Sequence, residues 1–243
     1  MVLMAGNVRA IMNLVYDVFA GRYYGFVLIG MIIFAVFCQI KVKSTFNRFN
    51  MVTPRNRMRA HEAARLILDS NGLYNVQIVH IPGNLNDHYD PRKNVICLSD
   101  STYNINSIGA IGVAAHECGH AIQHARGYSL AKIREVLAPA ISIFSASWFW
   151  ILLAGFILEW LFVIEIGIVF YMAVVIFQLV TLPFEFDASK RAINTIYANQ
   201  ILTGTELDGA RQVLSAAAMT YVASFLLSLV QLLRLLLRFG RKS

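Results

Sequence analysis

Val136 to Leu158 runs for 23 residues without a charged side chain, longer than the roughly 20 that an α-helix needs to cross a bilayer. Tyr23 to Ile40 is a second charge-free run, Trp160 to Leu182 is apolar except for Glu165, and Gln212 to Leu233 is a softer fourth. Four spans is therefore the expected count, at 23–40, within a 136–182 hairpin, and at 212–233. The fourth, diluted by Ser, Thr and Ala, could instead lie partly against the other three. Charged residues make up only 14% of the chain, against about 25% in soluble domains, and the deficit sits in these four stretches. The fold class that follows is a mainly α integral membrane protein with a small α+β domain outside the lipid.

That domain has to come from two pieces, 41–135 and 183–211, which are too polar for hydrocarbon. Lys41, Lys43, Arg48, Arg55, Arg57 and Arg59 follow span one, Lys132 and Arg134 precede span two, and Lys190 and Arg191 follow span three. The positive-inside rule places this side in the cytoplasm, although the basic tail Arg238, Arg241 and Lys242 pulls the other way. No small-residue cleavage site follows span one, so a signal anchor is expected rather than a removed signal peptide. The net charge of +7 lies mostly beside spans, where anionic headgroups of a bilayer are a simpler partner than nucleic acid. Cys38, Cys97 and Cys118 have no CxxC spacing, which argues against a disulfide framework and a thiolate metal site.

Between spans one and two, Thr53-Pro54 reads as a helix start, with Ala60, Ala63, Ala64, Ile67 and Leu68 as its apolar stripe and Gly72 as its stop. The predicted helix has about 16 residues. Val76 to His80 predicts a short strand and Pro82-Gly83-Asn84 a turn. Leu85 to Arg92 shows no periodicity and reads as a loop rich in polar side chains, after which Asn94 to Ser99 resumes a strand. A substrate extended along the sheet edge would suit this order.

The next helix, predicted over Ile108 to Arg126 and closed by Gly127, carries His116-Glu117-Cys118-Gly119-His120. Residues four apart share a helix face, so both imidazoles can meet one metal ion. Glu117 is rotated off that pair yet stays close enough to act on a water activated there. This is the spacing of a zinc-protease motif. A catalytic zinc takes three protein ligands and leaves one position open, so a third ligand must come from elsewhere. Glu165 lies in a span and reads better as an intramembrane polar contact; Glu135 is a weaker option. Glu185 is the best candidate and Asp187 the alternative. The 136–182 hairpin leaves the membrane on the side it entered, and Pro183 there suits the first turn of a new helix that would return Glu185 to His120.

The strings Leu66-Ile67-Leu68-Asp69, Asn71-Gly72-Leu73, Asp87-His88-Tyr89-Asp90-Pro91-Arg92, Asn106-Ser107-Ile108, Ala114 to Ala121 and Leu182 to Ser189 together resemble the YugP-type bacterial membrane zinc metallopeptidases. The match covers nearly the whole chain, with Cys118 where that family commonly has valine. More distantly the arrangement is similar to the HtpX and CAAX-prenyl-protease type of membrane zincin. There a Glu-x-x-x-Asp string completes the metal site; its Glu falls on Glu185, whereas its Asp falls on Ser189. The resemblance implies a zincin peptidase of the bacterial cytoplasmic membrane, with one Zn2+ per chain. Any second contact made by that Asp must then be weaker here or come from elsewhere, such as Asp187.

The expected site is thus His116, His120 and Glu185 as ligands, with Glu117 as general base. His88 or Tyr89 could donate to the oxyanion, or merely brace their loop. Asp87 and Asp90 read as turn and supporting groups, and Asn104 and Asn106 as substrate contacts or helix caps. His124 is one turn too far along for the metal, about 6 Å past His120; His61 and His80 read as ordinary. The expected activity is a zinc-dependent endopeptidase acting on peptides or membrane proteins. A zinc-bearing adaptor is the alternative and a transporter a remoter one, since Glu165 alone offers no ion path.

Overall fold

The computed structural model describes residues 13–19 and 21–239. The chain is a mainly α membrane protein with a small sheet. Its elements are α1 (Tyr24–Asn50), α2 (Ala60–Ser70), β1 (Gln77–His80), β2 (His88–Asp90), β3 (Val95–Leu98), α3 (Ile108–Ala125), α4 (Ser129–Ile157), α5 (Leu161–Ala198) and α6 (Thr205–Phe239). Among these, α1, α4, α5 and α6 are long and apolar enough to cross a membrane. At 1.5 Å per residue each also outruns the bilayer core.

Two compact units emerge. The first combines Val136–Val180 with the described parts of Met1–Phe37 and Tyr221–Ser243. In it α4 and α5 form a hairpin, turned at Glu159 with φ 56°. Gly155 and Gly167 let the two helices touch: a Cβ at 155 would lie 2.8 Å from Ile164 N, and one at 167 would lie 2.8 Å from Leu152 Cγ. Leu152, Ile164, Ile168, Tyr171, Val175 and Leu232 are packed together, and the Tyr171 hydroxyl donates to Gln231 Oε1 at 2.9 Å. Glu165 is exposed in the second turn of α5, and among the described residues it has no polar partner of the kind expected from the sequence.

The second unit joins Cys38–Glu135 to Thr181–Thr220. Its core is α2 laid on α3 through small side chains: Ala60, Ala63, Ala64, Ile67 and Leu68 meet Ala110, Ile111, Ala114, Ala115 and Cys118, all buried. The stripe read from the sequence is thus the buried face of α2, but the predicted helix start is wrong. Residues 53–59 are irregular with one turn at 55–56, Arg57 at φ 54° and Asn56 donating to Ile201 O at 2.9 Å. Pro54 is buried among them. The helix begins only at Ala60, its first turn closed by Glu62 Oε2 accepting from Arg59 N at 2.8 Å, and it has 11 residues.

The sheet has the order β1-β3-β2. β1 runs parallel to β3, and β2 runs antiparallel to it with Tyr89 opposite Ile96. The expectation of a loop over Leu85 to Arg92 needs correction, since His88–Asp90 is the outer strand. Three residues are too few to show an alternation. α1 also continues ten residues past the predicted end of the first span, and Pro183 lies inside α5 instead of opening a new helix. A proline removes one ladder bond without ending a helix whose neighbours hold it.

Candidate metal centre

α3 starts cleanly because Ser107 Oγ accepts from Ala110 N at 3.0 Å, a standard N-cap. Asn104 and Asn106 are exposed on the preceding loop, and neither is the cap. The i, i+4 spacing then sets His116 and His120 side by side, with ring centroids 4.6 Å apart and planes at 83°. Glu185 comes to them from α5. Its Oε2 lies 3.4 Å from His116 Nε2 and 3.6 Å from His120 Nε2.

The approach of α5 depends on Gly119. A Cβ at that position would lie 2.5 Å from the Ala188 carbonyl oxygen and 3.1 Å from its carbon, so only glycine lets the two backbones meet here. Gln123, one turn further on, locks them. Its side chain is fully buried, and Nε2 donates to Phe184 O at 2.9 Å and to Asp187 Oδ2 at 2.8 Å. Both partners are pure acceptors, which fixes the amide orientation and leaves Oε1 facing His120 Nδ1 at 3.0 Å. An amide oxygen only accepts, so Nδ1 carries a proton and Nε2 is the nitrogen turned toward Glu185.

His116 is held similarly, with Nδ1 3.2 Å from Ser189 Oγ. Ser189, at the position where the sequence resemblance expected an aspartate, thus reaches His116. Asp187 acts on His120 at one remove, through Gln123, and is tied to Arg191. Gln123 and Arg134 escaped the sequence reading. Gln123 was detectable in principle, as a polar residue three positions after His120 on the face turned to the core.

Glu185 is 2% exposed. Its Oε1 accepts from Arg134 Nη1 at 3.0 Å, while Oε2 is buried without a hydrogen-bond partner. A buried carboxylate oxygen without a hydrogen bond is costly, and here it faces the Nε2 atoms of two imidazoles. A cation held between the three would satisfy them together. The three ligand atoms lie within 4.8 Å of one another. The spacings of 3.4 and 3.6 Å are close to the ~3.4 Å edge of a tetrahedron with metal–ligand bonds of about 2.0–2.1 Å. Two imidazoles and one carboxylate match zinc in both chemistry and size.

Glu117 sits beside this group, 8% exposed. Burial pushes its carboxyl above the usual range, opposed by His116 and reinforced by Glu185. Its Oε2 accepts from the main-chain N–H of Tyr89 at 2.9 Å. Tyr89 faces Ile96 at a position whose N–H and C=O point away from the ladder, so the free edge of β2 is turned toward Glu117.

Most of the remaining candidates support the loop. The Tyr89 hydroxyl donates to Asn94 Oδ1 at 3.1 Å and lies 3.4 Å from His124 Nδ1. His88 Nδ1 lies 2.9 Å from the Asn86 carbonyl. Asp87 accepts from Ser99 N, Ser99 Oγ and Thr102 Oγ1 at 2.7, 3.0 and 3.2 Å. Asp90 caps the following turn through Arg92 N at 2.9 Å. His124 lies 3.7 Å from Glu135, and His61 and His80 bond to Tyr103 O and Asp100. Cys118 faces the core, where its thiol donates to Ala64 O at 3.6 Å and burial pushes its pKa up.

Comparison with known proteins agrees with this geometry. The sequence model of a family described as "Putative neutral zinc metallopeptidase" matches residues 24–240. A curated relative from Bacillus subtilis (strain 168), described as "Putative membrane protease YugP", is 42% identical over 214 residues, covering 88% of this chain and 95% of the relative. No solved structure matches the chain. The match in both sequence comparisons extends over nearly the whole length, and the chain therefore belongs to the neutral zinc metallopeptidase family.

Proposed function

We propose that this protein is a zinc-dependent membrane endopeptidase that hydrolyses peptide bonds of membrane or membrane-proximal proteins, with one Zn2+ per chain held by His116, His120 and Glu185. The observation that carries this reading is the buried Glu185 oxygen without a partner, facing two Nε2 atoms. A zinc ion bound there supplies a Lewis acid that activates water and polarises the scissile carbonyl.

The protein's own residues do the rest. Glu117 takes a proton from the attacking water and passes it to the leaving amine. Its raised pKa suits both transfers, since a carboxyl brought nearer the working pH is a better base and can still give the proton up. Ser189 and Gln123 fix the histidine rings through their Nδ1 atoms, keeping Nε2 inward. The free edge of β2 offers the Tyr89 carbonyl to an extended substrate, which would add as a further strand beside Glu117. His88, Tyr89, Asn104 and Asn106 remain the candidates for substrate or oxyanion contacts, and Asp87, Asp90, Asp187 and Ser189 act in support.

The segments 41–135 and 183–211 form the water-facing domain, a division supported by the second compact unit. The bias of Lys and Arg toward this side supports a cytoplasmic location. The deciding experiment compares wild type with Glu117→Gln, purified in detergent, on peptide hydrolysis and zinc content. Hydrolysis should fall by at least about 10²-fold while zinc stays near one per chain. A variant that keeps its hydrolysis sinks the assignment of the base; partner capture without hydrolysis in either protein favours the adaptor reading.

A further inference from the structure

Arg134 stands in the second turn of α4, ahead of the helix's apolar run. Its Nη1 donates to Glu185 Oε1 at 3.0 Å, and its guanidinium carbon lies 4.9 Å from the centroid of the Phe184 ring. Phe184 in turn stacks on the His120 imidazole, with centroids 4.7 Å apart and planes at 18°. One guanidinium therefore bears on two of the three ligands, on the carboxylate by a charge-assisted bond and on the imidazole through a stacked ring.

The carboxylate shows the effect directly. Its two oxygens are chemically alike, yet one is bonded to Arg134 and the other is left alone toward the histidines. With both oxygens free the group could swing and offer the pair. We infer that Arg134 is a positioning residue of the metal site, holding Glu185 so that a single oxygen serves the metal and a fourth position stays open for water and substrate. This inference rests on the zinc-site reading above.

Charge and orientation predict opposite results when Arg134 is removed. A cationic side chain near a cation site repels the ion, so on charge alone its loss should tighten zinc binding. If orientation dominates, its loss should weaken binding, as removal of partners behind metal ligands generally does.

The test uses the full chain in detergent, as wild type, Arg134→Gln, Arg134→Lys and His116→Ala, titrated with Zn2+ and separately loaded with Co2+ as a spectroscopic stand-in. Arg134→Gln should bind zinc about 10–100-fold more weakly. Its visible Co2+ band should lose intensity as the second carboxylate oxygen joins the coordination sphere, and Arg134→Lys should recover part of both. Equal or tighter zinc binding with an unchanged cobalt spectrum in Arg134→Gln would overturn the inference. Should Arg134→Gln not accumulate as folded protein, Arg134→Lys still decides, because lysine keeps the charge without the planar fork; a wild-type cobalt band in that variant refutes an orienting role. Wild-type zinc affinity in His116→Ala would instead remove the zinc-site reading itself.

Discussion

Replacing Gly119 by alanine sets two known effects against each other. In an ordinary helix interior the change is favourable by about 1 kcal/mol, because alanine loses less backbone freedom. At this position the new Cβ would lie 2.5 Å from the Ala188 oxygen, about 0.8 Å inside an ordinary C···O contact of 3.3 Å. The obstacle is main chain and cannot rotate away, so α5 must retreat. Overpacking of this kind costs about 1–3 kcal/mol, which cancels or exceeds the helix gain. The functional effect should be larger. Glu185 sits one turn before Ala188 on the retreating helix, and metal ligands tolerate only about 0.2 Å. A displacement approaching 1 Å should lower activity by about 10²-fold. Gly112→Ala provides the control on the same helix, since its Cβ would meet Ala210 Cβ at 3.6 Å, an ordinary contact. The assays are zinc titration, peptide hydrolysis and thermal unfolding in detergent. Wild-type zinc affinity together with raised thermal stability in Gly119→Ala would refute the close-approach argument.

Gln123→Leu should weaken zinc binding about 10–100-fold by freeing His120 Nδ1 and cost about 1–3 kcal/mol of stability by leaving that N–H without its acceptor; competition with a chelator and chemical unfolding measure the two. Asp87→Ala should lower stability by a similar amount, as three bonds to Ser99 and Thr102 go, yet leave zinc stoichiometry at one, which metal analysis checks. Because burial raises the Glu117 pKa, kcat/KM should rise with pH along an acid limb centred above the ordinary glutamate value of about 4.3. A group whose folded pKa is raised stabilises the fold fully only below its unfolded value, so the same residue costs stability as pH climbs through that limb. Glu117→Gln should flatten this part of the stability profile, measured by unfolding at a series of pH values.

The spans and the paired histidines were legible because each leaves a periodic or compositional mark. Twenty apolar residues cannot be hidden, and i, i+4 is a fixed geometry. Glu185 was legible at one remove, from the path of the hairpin that precedes it. Pro183 misled because proline usually marks a helix start, whereas here α5 passes through it unbroken. Thr53-Pro54 misled for the same local reason, since 53–59 are irregular and Asn56 is tied to the Ile201 carbonyl. Strand β2 was too short for its pattern to register. Gln123 and Arg134 were hidden differently: the buried face of α3 marks Gln123 as a polar residue in the core, but which carbonyl or carboxylate a second helix brings within 3 Å of either residue is not recorded on their own helices.

The bond that steadies Glu117 comes from the peptide nitrogen of residue 89 and not from the tyrosine ring. Every amino acid but proline carries that donor, so the position can drift in identity without disturbing the base. Tyr89→Phe, which keeps this nitrogen, should preserve the acid limb that Glu117 sets in the pH profile, whereas Tyr89→Pro, at a site where the outer strand makes no ladder bond with this nitrogen, should disturb it. The contribution of residue 89 would be visible only as a forbidden substitution.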